Sequence, residues 1–595
     1  MNHLFSKLGL HVHAAEKAES ASSEERLFKL PIQYLDESHK HTFSAIVSSD
    51  LEMVQSESDT PSIYETVLKP KHEFAKKMIP KWNESFSTHI PFLEDSQQVL
   101  REMPQFMESV NPEKTVDCQR LQEIWDNVRE DTFFAEKYSF IEFPMFKYLN
   151  ESPTFLQIIS VMQILSPVIS LLLPLIFLFL PFFLLKLRNT PITFEMYLDI
   201  LKSIAQNHFL GKAVSCMQGK MCLESAGYLI LIFAFYGIQI YQNVVACLRF
   251  YRNTKTMNQY LHDLREYLDF TIANMKRFGE MHSEKTTYTP FCQDVATHCN
   301  VLGSIREELE SIEPFSHNLG KVGSLGYMLK CLYRIHDNQE YGEALQYSFS
   351  FEGYLDNLQG LYENLATNVV HFATFEKGAK TQIKEQYYPP HAHTEHVKNN
   401  CKLDKNMIVS APNASGKTTY LKTTAINIVL SQQFGCGFYN SAVLEPYTHV
   451  HSYLNIPDTS GRDSLFQAES RRCKEIIDTV VKNGQDDCRH FCILDELYSG
   501  TNPTEATKAA YGFLTYLNNC PHVDYILTTH YVSVCKKFKK SKLVQNYKMN
   551  VEDCEGGAIR YTYKLKRGIS TIQGATKILK DMEYPKEILD TMEKY

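Results

Sequence analysis

Residues 407–420 read Met-Ile-Val-Ser-Ala-Pro-Asn-Ala-Ser-Gly-Lys-Thr-Thr-Tyr, an apolar run followed by a loop that ends in Gly-Lys-Thr. A strand, a tight loop and a helix in this order aim backbone N–H groups at phosphate oxygens, and the helix N-terminus adds partial positive charge. Lys417 would supply a point charge for the β- and γ-phosphates, and the hydroxyl of Thr418 is a ligand for Mg²⁺. The usual pattern, G-x-x-x-x-G-K-[ST], keeps Gly416 here but has Ala411 in place of its first glycine. The stretch therefore predicts a phosphate-binding loop for a nucleoside triphosphate.

Two later segments supply the groups that such a loop needs for hydrolysis. Residues 491–496 form an apolar run that ends in Asp495 and Glu496, which suits a carboxylate that holds Mg²⁺ and a second one that polarises an attacking water. A further apolar run ends in Thr528-Thr529-His530, and a His at this strand end can sense the γ-phosphate. A Gly-Lys-Thr triplet alone is common on surface turns, and two carboxylates alone can end a solvated strand. The three features in this order favour a nucleotide site.

The same segments resemble the ATPase domain of the MutS family, the mismatch-repair branch of the ABC-type ATPases. The family patterns T-G-P-N-M-x-G-K-S-T-Y, S-x-F-x-x-E, D-E-x-x-x-G-T, T-H-Y and Y-x-L-x-x-G correspond to residues 410–420, 464–469, 495–501, 529–531 and 563–568. The family's closing helix and proline are echoed by Gly574 and Pro585. The resemblance covers roughly residues 385–595, about a third of the chain. It implies an α/β P-loop ATPase domain of the ABC/MutS type.

The resemblance also implies a role for individual residues. The nucleotide would be held by Ala411, Pro412, Asn413, Ala414, Ser415, Gly416, Lys417, Thr418 and Thr419. Thr418 and Asp495 would bind Mg²⁺, Glu496 would be the general base, and His530 would contact the γ-phosphate or its water. His396 falls near the position where the family stacks an aromatic ring on adenine.

Ser464 resembles the family's signature serine, which reaches the nucleotide of a partner subunit, so a homodimer through the ATPase domains is implied. The segment 500–506 would contact the partner. It has Glu505 where the family has Asp and Ala506 where the family has Gly. Together with Ala411, these departures predict that hydrolysis is slow.

A zinc site is an alternative use of the histidines that precede the ATPase domain. His391, His393 and His396 lie close together beside Glu395, and imidazoles at such spacing can bind Zn²⁺. A polar connector that enters the ATPase fold is the favoured interpretation, because no Cys pair lies nearby.

Two uncharged apolar runs, 155–185 and 226–248, predict membrane spans. Lys186 follows the first run and Arg249 follows the second, as expected for interfacial anchors. A buried core helix is the alternative for each run, and the prolines of the first run would allow a re-entrant hairpin. We expect a hairpin of two spans with the ATPase domain in the cytosol or an equivalent intracellular compartment. The charge of the connecting loop gives this topology no clear support.

Composition sets broader limits. A chain of 595 residues predicts three or more domains. The net charge of −8 argues against a nucleic-acid binder that is basic overall, although it leaves room for a local basic groove. The 15 Cys show no paired framework and predict reduced thiols in an intracellular protein. The residues near the start contain no long apolar segment, so a cleaved signal peptide is not expected.

The predicted organisation has four regions. Residues 1–150 form a mixed α/β region, with a strand pair within Ile32–Phe43 and helices within 61–82, 95–107 and 116–130. Residues 151–250 carry the two predicted spans, 251–388 form a helical region that resembles the family's lever, and 389–595 form the ATPase domain.

These expectations lead to one function and one alternative. The first is an ATP-dependent MutS-like protein in which ATP and Mg²⁺ close a dimer and drive a partner, with mismatched DNA and mismatch repair as the candidate role. The alternative is a membrane-anchored nucleotide-sensing scaffold with little turnover and no role on DNA. No Phe-x-Glu triplet is assigned to mismatch reading, because a chain with 36 Phe contains such triplets by chance.

Overall fold

A computed structural model of the chain describes residues 28–56, 60–109, 117–187, 193–207, 223–315, 323–454, 456, 464–483, 488–553, 559–570, 579, 582 and 584–594. The chain divides into two compact units. The sheet unit comprises the residues up to 115 together with 273–299 and 346–595, and the helical unit comprises 116–272 and 300–345. This division follows packing rather than chain order, and the four-region organisation stays a prediction.

In chain order, the helices are α1 (Ala45–Asp50), α2 (Ile63–Leu68), α3 (Glu73–Trp82), α4 (Ile90–Ser109), α5 (Cys118–Trp125), α6 (Phe134–Tyr138), α7 (Pro153–Leu187), α8 (Phe194–Asn207), α9 (Leu223–His282), α10 (Thr289–Leu309), α11 (Leu325–Asp337), α12 (Gln339–Ala366), α13 (Lys417–Phe434), α14 (Leu465–Lys482), α15 (Pro503–Asn518), α16 (Val532–Lys537) and α17 (Lys586–Lys594). The strands are β1 (Lys40–Thr42), β2 (Ser85–Ser87), β3 (His371–Phe375), β4 (Gln382–Gln386), β5 (Asn399–Lys402), β6 (Asn406–Ser410), β7 (Cys436–Gly437), β8 (Ser441–Leu444), β9 (His449–Tyr453), β10 (His490–Asp495), β11 (Val523–Thr529), β12 (Val544–Asp553) and β13 (Ile559–Arg567).

The main sheet of the sheet unit has the strand order β13-β12-β6-β11-β10-β9. Every neighbouring pair is parallel except β12–β13, which is antiparallel. All residues of β6 and β11 are buried. Strands that are buried along their whole length, rather than at alternate positions, are typical of a parallel sheet covered on both faces. The predicted α/β fold of the C-terminal region is confirmed.

Helix α13 is the most buried helix next to this sheet. From Leu421 to Phe434 nearly every side chain is buried, including Asn427, Gln432 and Gln433. These amides bond to backbone carbonyls, as Gln433 does to the carbonyl oxygens of Trp82 and Ser85 at 2.8 and 3.0 Å. Because buried polar groups are satisfied in this way, the helix is fixed on every side.

The first part of the sheet unit differs from the prediction in one respect. Ile32–Phe43 does not form a strand pair: its start is a 3₁₀ helix, Pro31–Tyr34, and its end is β1, which pairs with the distant β2. Local pattern could not identify that partner. The predicted helices are present. The range 61–82 contains α2 and α3, the range 95–107 lies in α4, and the range 116–130 contains α5 and a π turn over Asp126–Glu130.

The helical unit is built around an apolar stripe of α9, which lies partly within the predicted helical region 251–388. Tyr260, Leu261, Leu264 and Leu268 of this stripe are buried. Helices α11 and α12 also lie in the predicted helical region 251–388, but α12 ends at Ala366 because the chain turns there towards β3, with Asn368 in a left-handed conformation at φ 57°.

The two predicted spans form helices, but two membrane crossings are not confirmed. Among the described residues, one helical segment, Pro153–Leu172, has the length and composition of a span. It belongs to α7, which continues unbroken through the three prolines of the run, so the structure shows no re-entrant hairpin. The second run, 226–248, lies in the 60-residue helix α9 and carries Gln239, Gln242 and Asn243, which interrupt its apolar surface.

Candidate nucleotide-binding site

The parallel strands bring three distant segments to one edge of the main sheet. Ser410, the last residue of β6, is aligned with Thr529 at the end of β11. Asp495, at the end of β10, is aligned with Thr528. The carboxyl ends of parallel strands share an edge, so the loop after β6 and the residues after β10 and β11 must meet there. The sequence-predicted loop, the two carboxylates and His530 all lie at this edge.

The phosphate-binding loop has a conformation that depends on Gly416. Its φ is 86°, in the left-handed region, and a Cβ at this position would come within 3.1 Å of the Tyr563 ring. Ala414 is also left-handed, with φ 61°. The Ser415 hydroxyl donates to the Pro412 carbonyl oxygen at 2.7 Å and closes the turn. The turn delivers the chain directly into α13, whose first residue is Lys417.

The Lys417 ammonium is buried inside this loop. Its Nζ donates to the Ala411 carbonyl oxygen at 3.0 Å and to Asn413 Oδ1 at 3.3 Å, and it lies 3.3 Å from Glu496 Oε1. A buried cation with carbonyl partners and one carboxylate is a strong site for a more highly charged anion. These contacts fit a polyphosphate that enters the loop.

Asp495 presents both carboxylate oxygens to hydroxyl groups. Thr418 Oγ1 donates to one oxygen at 2.7 Å, and Thr528 Oγ1 donates to the other. A carboxylate beside a threonine hydroxyl is the oxygen donor set that Mg²⁺ prefers. The predicted pair of metal ligands, Thr418 and Asp495, is therefore in direct contact.

Glu496 lies between the lysine and the histidine. Its backbone has φ 51°, an uncommon value for a residue other than glycine, and its N–H donates to the Thr528 carbonyl oxygen at 3.0 Å. His530 Nδ1 lies 3.4 Å from Glu496 Oε1. Hydrogen bonding from His530 and the nearby charge of Lys417 lower the pKa of Glu496 to about 2, against the opposing effect of partial burial. The carboxylate is ionised at neutral pH.

The loop opens into a cavity of about 730 Å³. Its walls include residues 412–419, Asp495, Glu496 and the segment from Gln386 to Asn399. His396 lines this cavity, and its ring stacks on the Tyr387 ring with centroids 4.2 Å apart. The structure therefore places His396 in the same cavity as the phosphate loop, and its role towards adenine stays a prediction.

Tyr563 is a site residue whose role sequence reasoning missed. It lines the cavity, and its backbone is left-handed at φ 54°, which is strained for a bulky side chain. Asn399 holds this conformation: its Nδ2 donates to the Tyr563 carbonyl oxygen at 2.8 Å, and its Oδ1 accepts from the Leu565 N–H at 2.8 Å. The position of Tyr563 within the predicted Y-x-L-x-x-G pattern was its signal in the sequence, but the pattern does not show that the ring lies against Gly416.

The zinc alternative gains no support. Within the described part of the chain, no three His, Cys, Asp or Glu side chains are grouped as metal ligands would be. His391 and His396 line the nucleotide cavity, but His393 does not. The three histidines are close in the sequence, but their side chains do not meet at one point in the structure.

Ser464 lies outside the cavity of its own chain. It caps α14, accepting the Gln467 N–H at 3.4 Å, and its surface is exposed. Glu469, one turn into the same helix, is buried and accepts from the Ser499 N–H at 2.9 Å and the Gly500 N–H at 3.1 Å. Glu469 thus ties the start of α14 to the segment that follows Glu496. The sequence pattern contained this residue but gave it no role.

Comparisons with known proteins agree with this geometry. Residues 407–595 match the model of MutS domain V. The chain is 26% identical over 225 residues to a DNA mismatch repair protein MutS of Persephonella marina, which covers 37% of this chain and 25% of that protein. It is 23% identical over 279 residues to the MutS of Staphylococcus epidermidis, covering 45% and 31%. It is 25% identical over 283 residues to the MutS of Fusobacterium nucleatum, covering 42% and 30%.

These matches support the resemblance for the C-terminal region, where residues 407–595 match domain V of the MutS family. The chain spans between a quarter and a third of the length of the curated relatives it matches.

We predict that Glu496 contributes to acid stability. Its pKa is about 2 in the fold against an ordinary 4.5, so its stabilisation is present above pH 4.5 and is lost as the pH falls from 4.5 to 2. The difference in free energy of unfolding between the parent and Glu496→Gln should therefore shrink over this range, as measured by urea unfolding at several pH values. Glu376→Gln, at an exposed glutamate of the same unit, is the control. A constant difference between the parent and Glu496→Gln would contradict the prediction.

Proposed function

We propose that the MutS domain V of this chain binds ATP with Mg²⁺ and hydrolyses it between two facing copies, and that the resulting motion acts on DNA. The observation that carries the proposal is the contact of Lys417 and Thr418, at the start of α13, with Glu496 and Asp495, at the end of β10. These residues lie far apart in sequence, and the fold brings a lysine, a threonine and two carboxylates together at one end of the main sheet.

Binding follows from charge and backbone geometry. The loop places the N-terminus of α13 at the cavity, where N–H groups and the helix dipole favour phosphate. Lys417 would bridge the terminal phosphates. Thr418 and Asp495 would hold Mg²⁺, which neutralises charge on the phosphates when bound. His396 and Tyr387 would offer their stacked rings to the base.

Hydrolysis would begin when phosphate competes for Lys417. The ammonium now faces Glu496 at 3.3 Å, and this contact helps to keep the carboxylate a weak base. When phosphate takes over the lysine, Glu496 loses that partner and its pKa rises. The carboxylate, oriented by His530, is then placed to accept a proton from an attacking water.

A second copy would complete the site. Ser464 is exposed at the N-terminus of α14 and does not line its own cavity. In a symmetric pair, each serine could reach the nucleotide of the other copy, so that closure of the pair depends on ATP.

DNA is the partner that the relatives suggest. The matched proteins of three bacteria are named as DNA mismatch repair proteins. In this proposal the ATP-driven closure of two domains changes the grip of the chain on DNA. No residue is assigned to mismatch reading, and mismatch repair is the role proposed for the whole assembly.

A nucleotide sensor with little turnover is the second candidate. It is favoured by Ala411, which replaces the first glycine of the loop, and by the direct contact of Glu496 with the lysine. In this candidate ATP would close the pair, and its hydrolysis would be rare.

Membrane attachment is proposed for the helical unit. Only 17% of Pro153–Leu172 is buried, and large apolar side chains on more than one face, among them Ile158, Met162 and Leu171, are exposed. Helix α9 packs on this segment in the opposite direction: the Tyr236 hydroxyl donates to the Ser170 carbonyl oxygen at 2.9 Å, and Cys247 Sγ approaches the Ile164 carbonyl oxygen at 3.5 Å. The pair would form a hairpin in a membrane, with domain V in the cytosol or an equivalent intracellular compartment.

We predict opposite effects of two substitutions on binding and turnover. Lys417→Ala should weaken ATP binding by about tenfold or more, because a charged phosphate contact is lost. Glu496→Gln should retain ATP and lower the hydrolysis rate by about 10²- to 10⁴-fold. Binding is measured with a fluorescent ATP analogue, and hydrolysis as phosphate release with and without a DNA duplex. Lys377→Ala, at an exposed lysine of the same unit, is the control.

The same measurements separate the two candidates. Turnover that DNA stimulates supports the first, whereas tight binding with turnover no faster than that of Glu496→Gln supports the sensor. Unaltered ATP binding by Lys417→Ala would contradict both.

We predict that mixing two inactive variants restores hydrolysis. Lys417→Ala disables the site of its own chain, whereas Ser464→Ala would disable the site of the partner. A mixed pair then contains one intact site, so an equal mixture should recover about a quarter of the parent rate for random pairing. Phosphate release from the mixture is compared with that from each variant alone. Absence of recovery would show that Ser464 does not serve the other copy.

We predict that the full chain stays in the membrane pellet after extraction with alkaline carbonate. A hairpin buried in hydrocarbon resists carbonate, whereas an electrostatically attached protein is released by it and by high salt. Immunoblots of pellet and supernatant after each wash measure the distribution. Release of the chain by carbonate would rule out the hairpin.

A further inference from the structure

A cluster of five lysines lies on the surface of the sheet unit, away from the cavity. Lys536, Lys537, Lys539, Lys540 and Lys542 are all exposed. We call them the lysine cluster. Residues 531–551 contain no Asp or Glu, although the chain as a whole has a net charge of −8. The cluster is therefore a local reversal of the overall charge.

The fold directs these lysines outward. Val534 and Phe538, which alternate with them, are 1% and 6% exposed and anchor the segment in the core. The turn after α16 is closed by the Ser541 N–H, which donates to the Phe538 carbonyl oxygen at 3.0 Å. Because the backbone is fixed by buried apolar groups, the ammonium groups are held on one exposed surface.

The positive surface extends to Lys405, the residue before β6. The Asn406 N–H donates to the Leu543 carbonyl oxygen at 3.0 Å, which brings the exposed Lys405 close to the chain at Lys542. No carboxylate within the described ranges forms an ion pair with Lys405 or with the lysine cluster. The positive charge is consequently available to an external anion.

The cluster lies at the opposite edge of the sheet from the nucleotide site. Val544 is aligned with Asn406 at the start of β6, and Lys548 is aligned with Ser410, where the phosphate loop begins. Four residue steps of about 3.3 Å separate the two edges by about 13 Å. The lysines are thus not part of the nucleotide site.

We propose that the lysine cluster, together with Lys405, binds the phosphate backbone of a nucleic acid without reading its sequence. Several point charges on long flexible stems suit a polymer that carries a phosphate at every step. Lys537 lies over the Tyr511 ring at 4.5 Å, and this ring is 37% exposed, so a base could stack on it once the Lys537 ammonium moves from the ring to a phosphate.

The composition of the surface favours nucleic acid over a lipid bilayer. An interfacial membrane site combines basic residues with several exposed apolar side chains. In the segment 532–543, Val534, Cys535 and Phe538 are buried. Leu543, which is 54% exposed, is the large apolar side chain that this segment presents to solvent. The cluster therefore offers charge with little apolar area to insert.

This inference deepens the proposed action on DNA by giving DNA a place to bind. It does not depend on ATP hydrolysis, because binding is measured without nucleotide. Failure of the ATPase proposal would appear in the Lys417 and Glu496 variants, whereas failure of this inference would appear in the lysine cluster alone.

The test compares two double variants of the full chain in detergent. Lys539→Gln with Lys540→Gln removes two charges from the cluster, and Lys377→Gln with Lys384→Gln removes two charges from exposed positions elsewhere on the same unit. Binding of a fluorescent DNA duplex is measured by anisotropy between about 50 and 200 mM salt. The cluster variant should bind about tenfold more weakly than the parent, with a salt dependence, d log K/d log[salt], smaller by about 2 in magnitude. The control variant should match the parent, and both variants should bind the ATP analogue normally.

Three outcomes would overturn the inference. The parent does not bind the duplex; both variants weaken binding equally; or the cluster variant loses affinity for phosphatidylserine vesicles relative to the control while its affinity for DNA is unchanged. The last result would assign the lysines to an anionic membrane surface instead.

Discussion

The parallel alignment of β6, β11 and β10 is the constraint on which the site depends. Ser410 is aligned with Thr529, and Asp495 is aligned with Thr528, one residue earlier, so the loop after β6, the Asp495 carboxylate and His530 are neighbours although they are far apart along the chain. A slip of one residue in either pairing would turn the strand ends to opposite faces. The full burial of β6 and β11 opposes such a slip, since every position is already packed. The packing of the buried strands thus fixes the relative positions of the residues at their ends.

Within this edge, Glu496 couples the lysine to the histidine. One carboxylate oxygen faces Lys417 at 3.3 Å and His530 at 3.4 Å, so a change at either partner alters the charge balance of the other. A phosphate that binds Lys417 would therefore do two things together: it occupies the loop, and it releases a base. The left-handed backbone of Glu496 helps to hold the carboxylate between its two partners.

Sequence motifs identified the residues of the site because those residues lie at strand ends or in a loop, where pattern and position coincide. Lys417, Asp495, Glu496 and His530 are predictable in this way, and the structure brings them together. The role of Tyr563 is not, because its approach to Gly416 depends on a hairpin that pairs with β6 from the other side of the sheet. Likewise, β1 pairs with β2 across an intervening helical segment, which local periodicity does not encode.

The two edges of the sheet limit how ATP could act on DNA. Strand β12 is paired to β6 from Val544 to Lys548, so the start of the strand beside the lysine cluster and the phosphate loop lie at opposite ends of one rigid strand pair. Hydrogen-bonded strands do not lengthen when a ligand binds at one end. Within one domain, the distance between nucleotide and lysines is therefore almost fixed. Under the proposed function, what ATP would change is the relation between two copies, through the exposed Ser464 of each copy. If both lysine clusters contact one duplex, closure of the pair moves the clusters relative to each other, and the grip on the duplex changes while each domain stays rigid.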